Sequence, residues 1–317
     1  MSTGATEAGL TAAQESRRGV LCGLAAYLVW GFFPLFFKLV SHIPPLEVVA
    51  HRIVWSMLFL AVLVTVSGRW GEIRSAFRVW KTFATLCCST VLIAANWLIF
   101  IYAIGKGEVL QSSLGYFMNP LVNVLLGFLL LRERMQRLQA VSLLLAVVGV
   151  AVSAVTLGAV PWIAILLAIT FGLYGLLRKT VAVDSLVGLS METFLAGPMA
   201  LVLLVNLGLT GRGAFLAGPA ADTGVLILCG VVTAVPLLFF AAAARRLRLM
   251  TMGFLQYITP SLHFLQAVWL YHEPFTAANL ASFLCIWSGL ALYSWSAIST
   301  ARRDIVLRNV PAEAPQE

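Results

Sequence analysis

The chain has 317 residues, of which 61% are apolar and only 11% are Asp, Glu, Lys or Arg, where a soluble domain carries roughly 25% charged residues. A surface so poor in charge cannot be hydrated, which excludes a water-soluble enzyme and makes the lipid bilayer the expected surrounding partner. The formal charge of +8 does not indicate nucleic acid, because the basic residues stand in clusters of two to four between apolar runs, as they do in membrane loops.

Residues 1–18 are polar and small, without the charged start and cleavage site of a removable signal peptide, and are expected to form a disordered tail. Arg17 and Arg18 lead into the first of ten apolar runs. A helix needs roughly 20 apolar residues to cross a hydrocarbon core of about 30 Å, since lipid offers the backbone no other hydrogen-bond partner. On that count spans are expected near 20 to 40, 46 to 66, 82 to 104, 109 to 131, 137 to 156, 161 to 178, 186 to 206, 224 to 244, 249 to 271 and 277 to 297. Residues 301–317 are polar and read as a second disordered tail. The expected fold class is an all-α membrane protein of ten transmembrane helices. Cys22, Cys87, Cys88, Cys229 and Cys285 lie inside apolar runs with no metal or disulfide spacing, so neither a metal nor another cofactor is expected.

With the N-terminus inside, 17 of the 21 Lys and Arg residues collect on one side, among them Arg69, Arg132, Arg178, Lys179, Arg245 and Arg246. The other side keeps Lys38, Lys106 and Arg212, and Arg52 lies within the second span. The positive-inside rule therefore puts both termini in the cytoplasm. Pro120 and Glu133 are 13 apart, as are Pro260 and Glu273, and the same shift of 140 sets Asn96 against Pro236 and Lys106 against Arg246. Trp30-Gly31 matches Tyr174-Gly175 at a shift of 144. Residues 19–157 and 158–300 are thus expected to be two five-helix repeats, and an odd number of helices inverts one against the other.

In the fourth span Ser112, Tyr116, Asn119, Asn123 and Gly127 form one helical stripe, matched in the ninth by Met252, Gln256, Thr259, His263 and Ala267. Polar groups in a bilayer turn into the bundle or a wet cavity, so the stripes read either as a substrate path or as contacts between helices. Pro120 and Pro260 interrupt the same two spans and are hinge candidates. Internal aromatics such as Trp30 and Tyr174 suit the walls of a cavity for flat or amphipathic molecules. In the second span, Glu47 and His51 share a face at i, i+4, and Arg52 lies about 8 to 9 Å below the outer end. Arg52 suits an anionic substrate or snorkels to the headgroups; Glu47 or His51 suits a coupling proton. Glu192 is the approximate counterpart of Glu47. No phosphate loop, H-E-x-x-H or nucleophile constellation occurs, so ATP hydrolysis and enzymatic activity are not expected.

Arg-Arg-Gly-Val at 17–20, His-Arg-Ile-Val-Trp-Ser at 51–56, Asn-Trp-Leu-Ile-Phe at 96–100, Ser-Leu-Gly-Tyr-Phe-Met-Asn-Pro-Leu-Val-Asn at 113–123 and Gly-Phe-Leu-Gln-Tyr-Ile-Thr-Pro at 253–260 resemble the EamA branch of the drug/metabolite transporter superfamily, and within it the RarD-type permeases. The resemblance runs from about residue 17 to residue 300. It implies a bacterial inner-membrane permease with a central cavity lined mainly by the first, third, fourth, sixth, eighth and ninth helices, and it names no substrate. The expectation is a secondary transporter for a small metabolite or drug-like amphipathic molecule, working by efflux as a monomer or homodimer. Asn96, Tyr116, Asn119, Asn123, Gln256, Thr259 and His263 would supply polar contacts, with Trp30 and Tyr174 as apolar walls. An uncoupled facilitator and a non-transporting sensor or assembly protein are the alternatives.

Overall fold

A computed structural model of the chain describes residues 3–105, 109–133, 135–156, 162–270 and 277–309, and every regular element among them is an α-helix. In chain order these are α1 (Thr3–Gly31), α2 (Phe33–Lys38), α3 (Pro45–Val66), α4 (Trp70–Arg78), α5 (Trp80–Gly105), α6 (Val109–Leu129), α7 (Arg137–Thr156), α8 (Trp162–Thr180), α9 (Ser185–Leu209), α10 (Ala220–Arg246), α11 (Leu249–Gln256), α12 (Ile258–Trp269) and α13 (Ala277–Asn309). Helix stands over each of the expected spans. Six stretches are long and apolar enough to cross a membrane: Gln14–Lys38, Pro45–Val66, Trp80–Phe100, Trp162–Thr180, Ser185–Leu209 and Ala220–Arg246. Shorter apolar helices cover Gly115–Leu129, Arg137–Val152 and Leu280–Ser296. The chain is a multi-pass membrane protein. Lys106 and Glu273 lie outside the described residues, as do the side chains of Ser112 and Ala267.

Two expected spans are broken, each next to a proline. Pro34 stands in the first turn of α2, where proline is tolerated, but it has no N–H for the carbonyl four residues back at Trp30. The helix stops at Gly31. The ninth span divides at Tyr257, with Pro260 in the first turn of α12 and its i−4 partner Gln256 the last residue of α11. Pro120, by contrast, sits inside an uninterrupted α6.

Three features differ from the sequence expectation. Helix α1 runs back to Thr3 and α13 on to Asn309, into segments expected to be disordered. Residues 3–18 are rich in Ala, Glu, Gln and Arg, which extend a helix readily once it is started, and Glu15 pairs with Arg246 at 2.8 Å. Residues 310–317 lie outside the described part. Second, the basic loop after α3 contains α4, an amphipathic helix with Ile73 and Ala76 buried and Trp70 stacked on Phe194 at 5.8 Å. Third, the compact units cut across the expected repeats. Helices α1–α6 and α8–α12 form one unit and α7 with α13 the other.

In the larger unit the core is built on Tyr27 from α1, Leu60 from α3, Tyr174 from α8, Phe240 from α10 and Met252 from α11. The smaller unit is an antiparallel pair held close by two glycines. A Cβ on Gly149 would stand 2.7 Å from the Ser282 carbonyl oxygen, and one on Gly289 would stand 2.7 Å from that of Ser142. Residues 142 and 282 are 140 apart, and so are 149 and 289: the two contacts are one contact repeated about a local two-fold.

At one end of the larger unit, Asp184 caps α9 by accepting from the Leu186 amide at 2.9 Å. Arg69 donates to Asp184 at 2.8 Å and to both oxygens of Glu72 at 2.6 and 2.7 Å, and Arg245 lies 3.8 Å from Asp184. Partial burial pushes the Asp184 carboxyl upward, but the Leu186 amide, Arg69 and Arg245 together leave it below its ordinary value; the Arg69 hydrogen bonds hold Glu72 low as well. A depressed carboxylate pKa contributes stability that is present above the unfolded value near 4 and lost as pH falls through the folded value. Acidifying from pH 6 to pH 3 should therefore lower the melting temperature of the wild type by more than that of Asp184→Asn, which keeps the cap but not the charge. The difference should be about 1 to 3 °C, because the network is largely exposed. Equal acid sensitivity of the two proteins would contradict it.

Candidate substrate site

The larger unit holds a small cavity of about 30 Å³ among α3, α5, α8, α9 and α10. Its walls are single helical faces: Arg52, Ile53 and Ser56 on α3; Thr90, Ile93, Ala94 and Trp97 on α5; Leu189, Glu192, Thr193 and Ala196 on α9; Thr233, Ala234 and Leu237 on α10; and Tyr174 on α8. Spacings of three and four residues place each set on one side of its helix. Twelve of these residues are related in pairs by the same shift of 140: Arg52 with Glu192, Ile53 with Thr193, Ser56 with Ala196, Ile93 with Thr233, Ala94 with Ala234 and Trp97 with Leu237. Equivalent positions of the two halves therefore face one space, with unlike side chains.

Arg52 does not snorkel. Its Nε donates to Thr233 Oγ1 at 2.9 Å, and its guanidinium lies 5.0, 5.2 and 5.9 Å from the ring centres of Phe37, Trp97 and Phe33. Among the described residues it forms no ion pair. A guanidinium does not give up its proton in a protein, so this is a lasting positive charge at the cavity wall, softened by three ring faces.

Glu192, on the equivalent face of α9, is already engaged. Ser89 Oγ donates to Oε1, the Tyr174 hydroxyl donates to Oε2 at 3.3 Å, and Arg178 Nη1 stands 3.7 Å away. Arg178, expected among the surface charges that end the sixth span, is instead fully buried. It donates from Nη2 to the Ser185 carbonyl at 3.2 Å, and the absence of a side chain at Gly188 makes room for its guanidinium against α9.

Glu47 and His51 lie away from this cavity. Glu47 Oε1 accepts from the amides of Ala214 and Phe215 at 2.7 and 3.4 Å, and the Trp55 indole donates to His51 Nδ1 at 3.2 Å. Because indole N–H is only a donor, the proton of a neutral His51 sits on Nε2, 3.9 Å from Glu47. The His51 ring packs on Phe215 at 4.8 Å. Together they clamp the segment that enters α10.

The polar stripes hold helices together. Asn123 Nδ2 donates to Gln256 Oε1 at 2.7 Å, and Tyr116 meets His263 ring edge to face at 5.9 Å; the shift of 140 turns the first pair into the second. Thr259 donates to the Tyr27 carbonyl at 2.8 Å. His263 Nε2 and Gln266 Nε2 reach the Trp30 and Gly31 carbonyls at 3.0 and 2.6 Å, at the end of α1 where Pro34 has withdrawn the helical donor. Asn96 donates to the Leu167 carbonyl and to Thr170 Oγ1, both at 2.9 Å. Asn119 is buried with Oδ1 unpartnered. Of the nine substrate candidates, Tyr174 lines the cavity, and Trp30 joins it through Phe171 and Phe240, with ring centres 5.5 to 6.0 Å apart. Arg52 and Glu192 line it too. The internal tryptophans suit a cavity wall by sequence, and Trp97 is one; sequence reasoning missed Ser56, Thr90, Thr193 and Thr233, although extending the shift of 140 from Arg52 and Glu192 along their own helices finds Ser56 and Thr193.

Residues 17–155 match the EamA-like transporter family. A transporter of Pseudomonas aeruginosa is 46% identical over 292 residues, covering 90% of this chain and 96% of that protein. Protein RarD of Escherichia coli K12 is 42% identical over 291 residues, 92% of this chain and 98% of its own length, and the chloramphenicol-sensitive protein RarD of P. aeruginosa is 32% identical over 293 residues, covering 91% and 97%. One crystal structure, 17% identical, shares the fold with a TM-score of 0.68 over 89% of this chain and 98% of the other. With its helical bundle and relatives this similar along nearly their whole length, the chain belongs to the EamA-like transporter family, among its RarD-type permeases.

Proposed function

We propose that the chain is a secondary transporter of the bacterial inner membrane that exports a small metabolite or drug-like amphipathic molecule by alternating access. In this reading ten helices form two inverted five-helix repeats with both termini cytoplasmic, and the substrate site opens around the small cavity at Arg52. The observation that carries it is the pairing of twelve lining residues at one offset, the arrangement expected where a site lies on the pseudo-two-fold between inverted repeats. Substrate contacts fall to Arg52, Trp97, Tyr174 and Thr233. The stripe residues, from Asn96 and Tyr116 to His263, hold and release neighbouring helices as the halves exchange. Bending at Tyr257, just before Pro260, moves the Thr259 and His263 contacts on α1, with Pro120 the corresponding point in α6. The lining comes from one chain, so a monomer suffices for transport, whether or not it pairs as a homodimer.

Counterflow in proteoliposomes, with and without a pH gradient, tests this reading against its alternatives. Export by a proton-coupled carrier responds to the gradient, and a facilitator does not. A protein that exchanges no solute from a broad metabolite mixture is a sensor or assembly factor instead.

A further inference from the structure

The charges around the cavity do not balance. Glu192 has Arg178 3.7 Å away and receives the hydroxyls of Ser89 and Tyr174, so its charge is met within the protein. Arg52, at the equivalent position of the other half, has a single hydrogen bond, from Nε to Thr233, and no carboxylate partner among the described residues. The two Nη nitrogens are left without a protein acceptor at the wall of a space whose remaining surface is mostly Ile53, Ile93, Ala94, Leu189 and Leu237. A buried cation costs free energy unless it is paired, and the Nη edge of a guanidinium matches the two oxygens of a planar carboxylate. The ring faces of Phe37 and Trp97 at 5.0 and 5.2 Å hold that fork in place from the other sides.

We propose that the cavity, widened when the site opens, selects a small amphipathic monoanion, a carboxylate with an apolar or aromatic body, whose charge is held by Arg52. The inference rests on the transport reading for its consequence, but not for its binding chemistry. One uncompensated positive charge calls for one negative charge: a phosphate monoester, with nearly two at neutral pH, overshoots it, and an amine adds a second cation. The apolar part of the lining takes the body of the molecule, and Glu192, already paired with Arg178, leaves no free anion for the ammonium group of a zwitterion.

Calorimetry on the purified full-length protein tests this with three probes of one shape: 3-phenylpropanoate, 3-phenylpropanamide and 3-phenylpropylamine. Wild type should bind the acid at least about 30-fold more tightly than the amide or the amine, as expected when a buried charge pair is made or lost. Arg52→Gln should abolish the preference, and Arg52→Lys, which keeps the charge but not the fork, should retain part of it. The ligand-free melting temperature of each variant reports folding, and if Arg52→Gln does not fold the lysine variant carries the test by its reduced preference. Equal binding of acid and amide, no binding of the acid, or a preference unchanged in the folded Arg52 variants overturns the proposal. Counterflow of the labelled probes separates the two readings. Acid bound through Arg52 without exchange keeps the anion site and removes transport, whereas exchange of all three probes at equal rates keeps transport and removes the anion site.

Discussion

Arg178→Ala should destabilise the protein by about 3–5 kcal/mol, the range found when one partner of a buried ion pair is removed. Arg178 has no exposed surface, and without it Glu192 keeps a charge in apolar surroundings with only the hydroxyls of Ser89 and Tyr174 to meet it. Removing both charges while keeping the volume, as Arg178→Met with Glu192→Leu, should recover most of the loss, since replacing a buried pair by apolar residues is often neutral or better. Thermal unfolding in detergent measures both. An Arg178→Ala protein as stable as wild type, or a double variant worse than either single one, would show that the pair is not the unit described here.

The second large effect is expected in the smaller unit. Gly149→Val and Gly289→Val each drive a side chain into a backbone carbonyl that lies only 2.7 Å from where the new Cβ would stand. Overpacking of this kind costs about 1–3 kcal/mol, and more where backbone must move. Because the two contacts interchange at an offset of 140, the two substitutions should lower the melting temperature by similar amounts. Gly208→Val, where a side chain meets open space, should leave it within about 1 °C. A loss at one glycine only would mean that the likeness of the two contacts is accidental.

Much of the fold was legible because membrane spans advertise themselves by length and apolarity, and every expected span carries helix. The offset of 140 was legible from Pro120 and Pro260, and the same offset organises the cavity. What the polar residues touch was not legible. Thr259 and His263 fall on one face by spacing alone, but their partners are the carbonyls of Tyr27 and Trp30, the latter freed by Pro34 more than 220 positions earlier in the chain. Arg178 illustrates the same limit. At the end of an apolar run, followed by Lys179, it has the pattern of a headgroup anchor, and only the packing of α8 against α9 brings it to Glu192. Helix α4 escaped because a search for apolar runs of membrane length passes over nine residues, three of them charged, whose Ile73 and Ala76 find the core beside Leu86.

The central claim is that the cavity between the equivalent faces of α3, α5, α9 and α10 opens to each side of the membrane in turn. Its most direct test is the reactivity of a single cysteine at Ala94 or Ala234, which are repeat-related lining positions, in a chain with the five native cysteines replaced by serine or alanine. In oriented proteoliposomes a membrane-impermeant maleimide should label either position from the outside and, in a separate experiment, from the inside, while a cysteine at buried Leu226 stays unlabelled. Labelling of both lining cysteines from one side only, under every substrate and gradient condition, would contradict an alternating cavity.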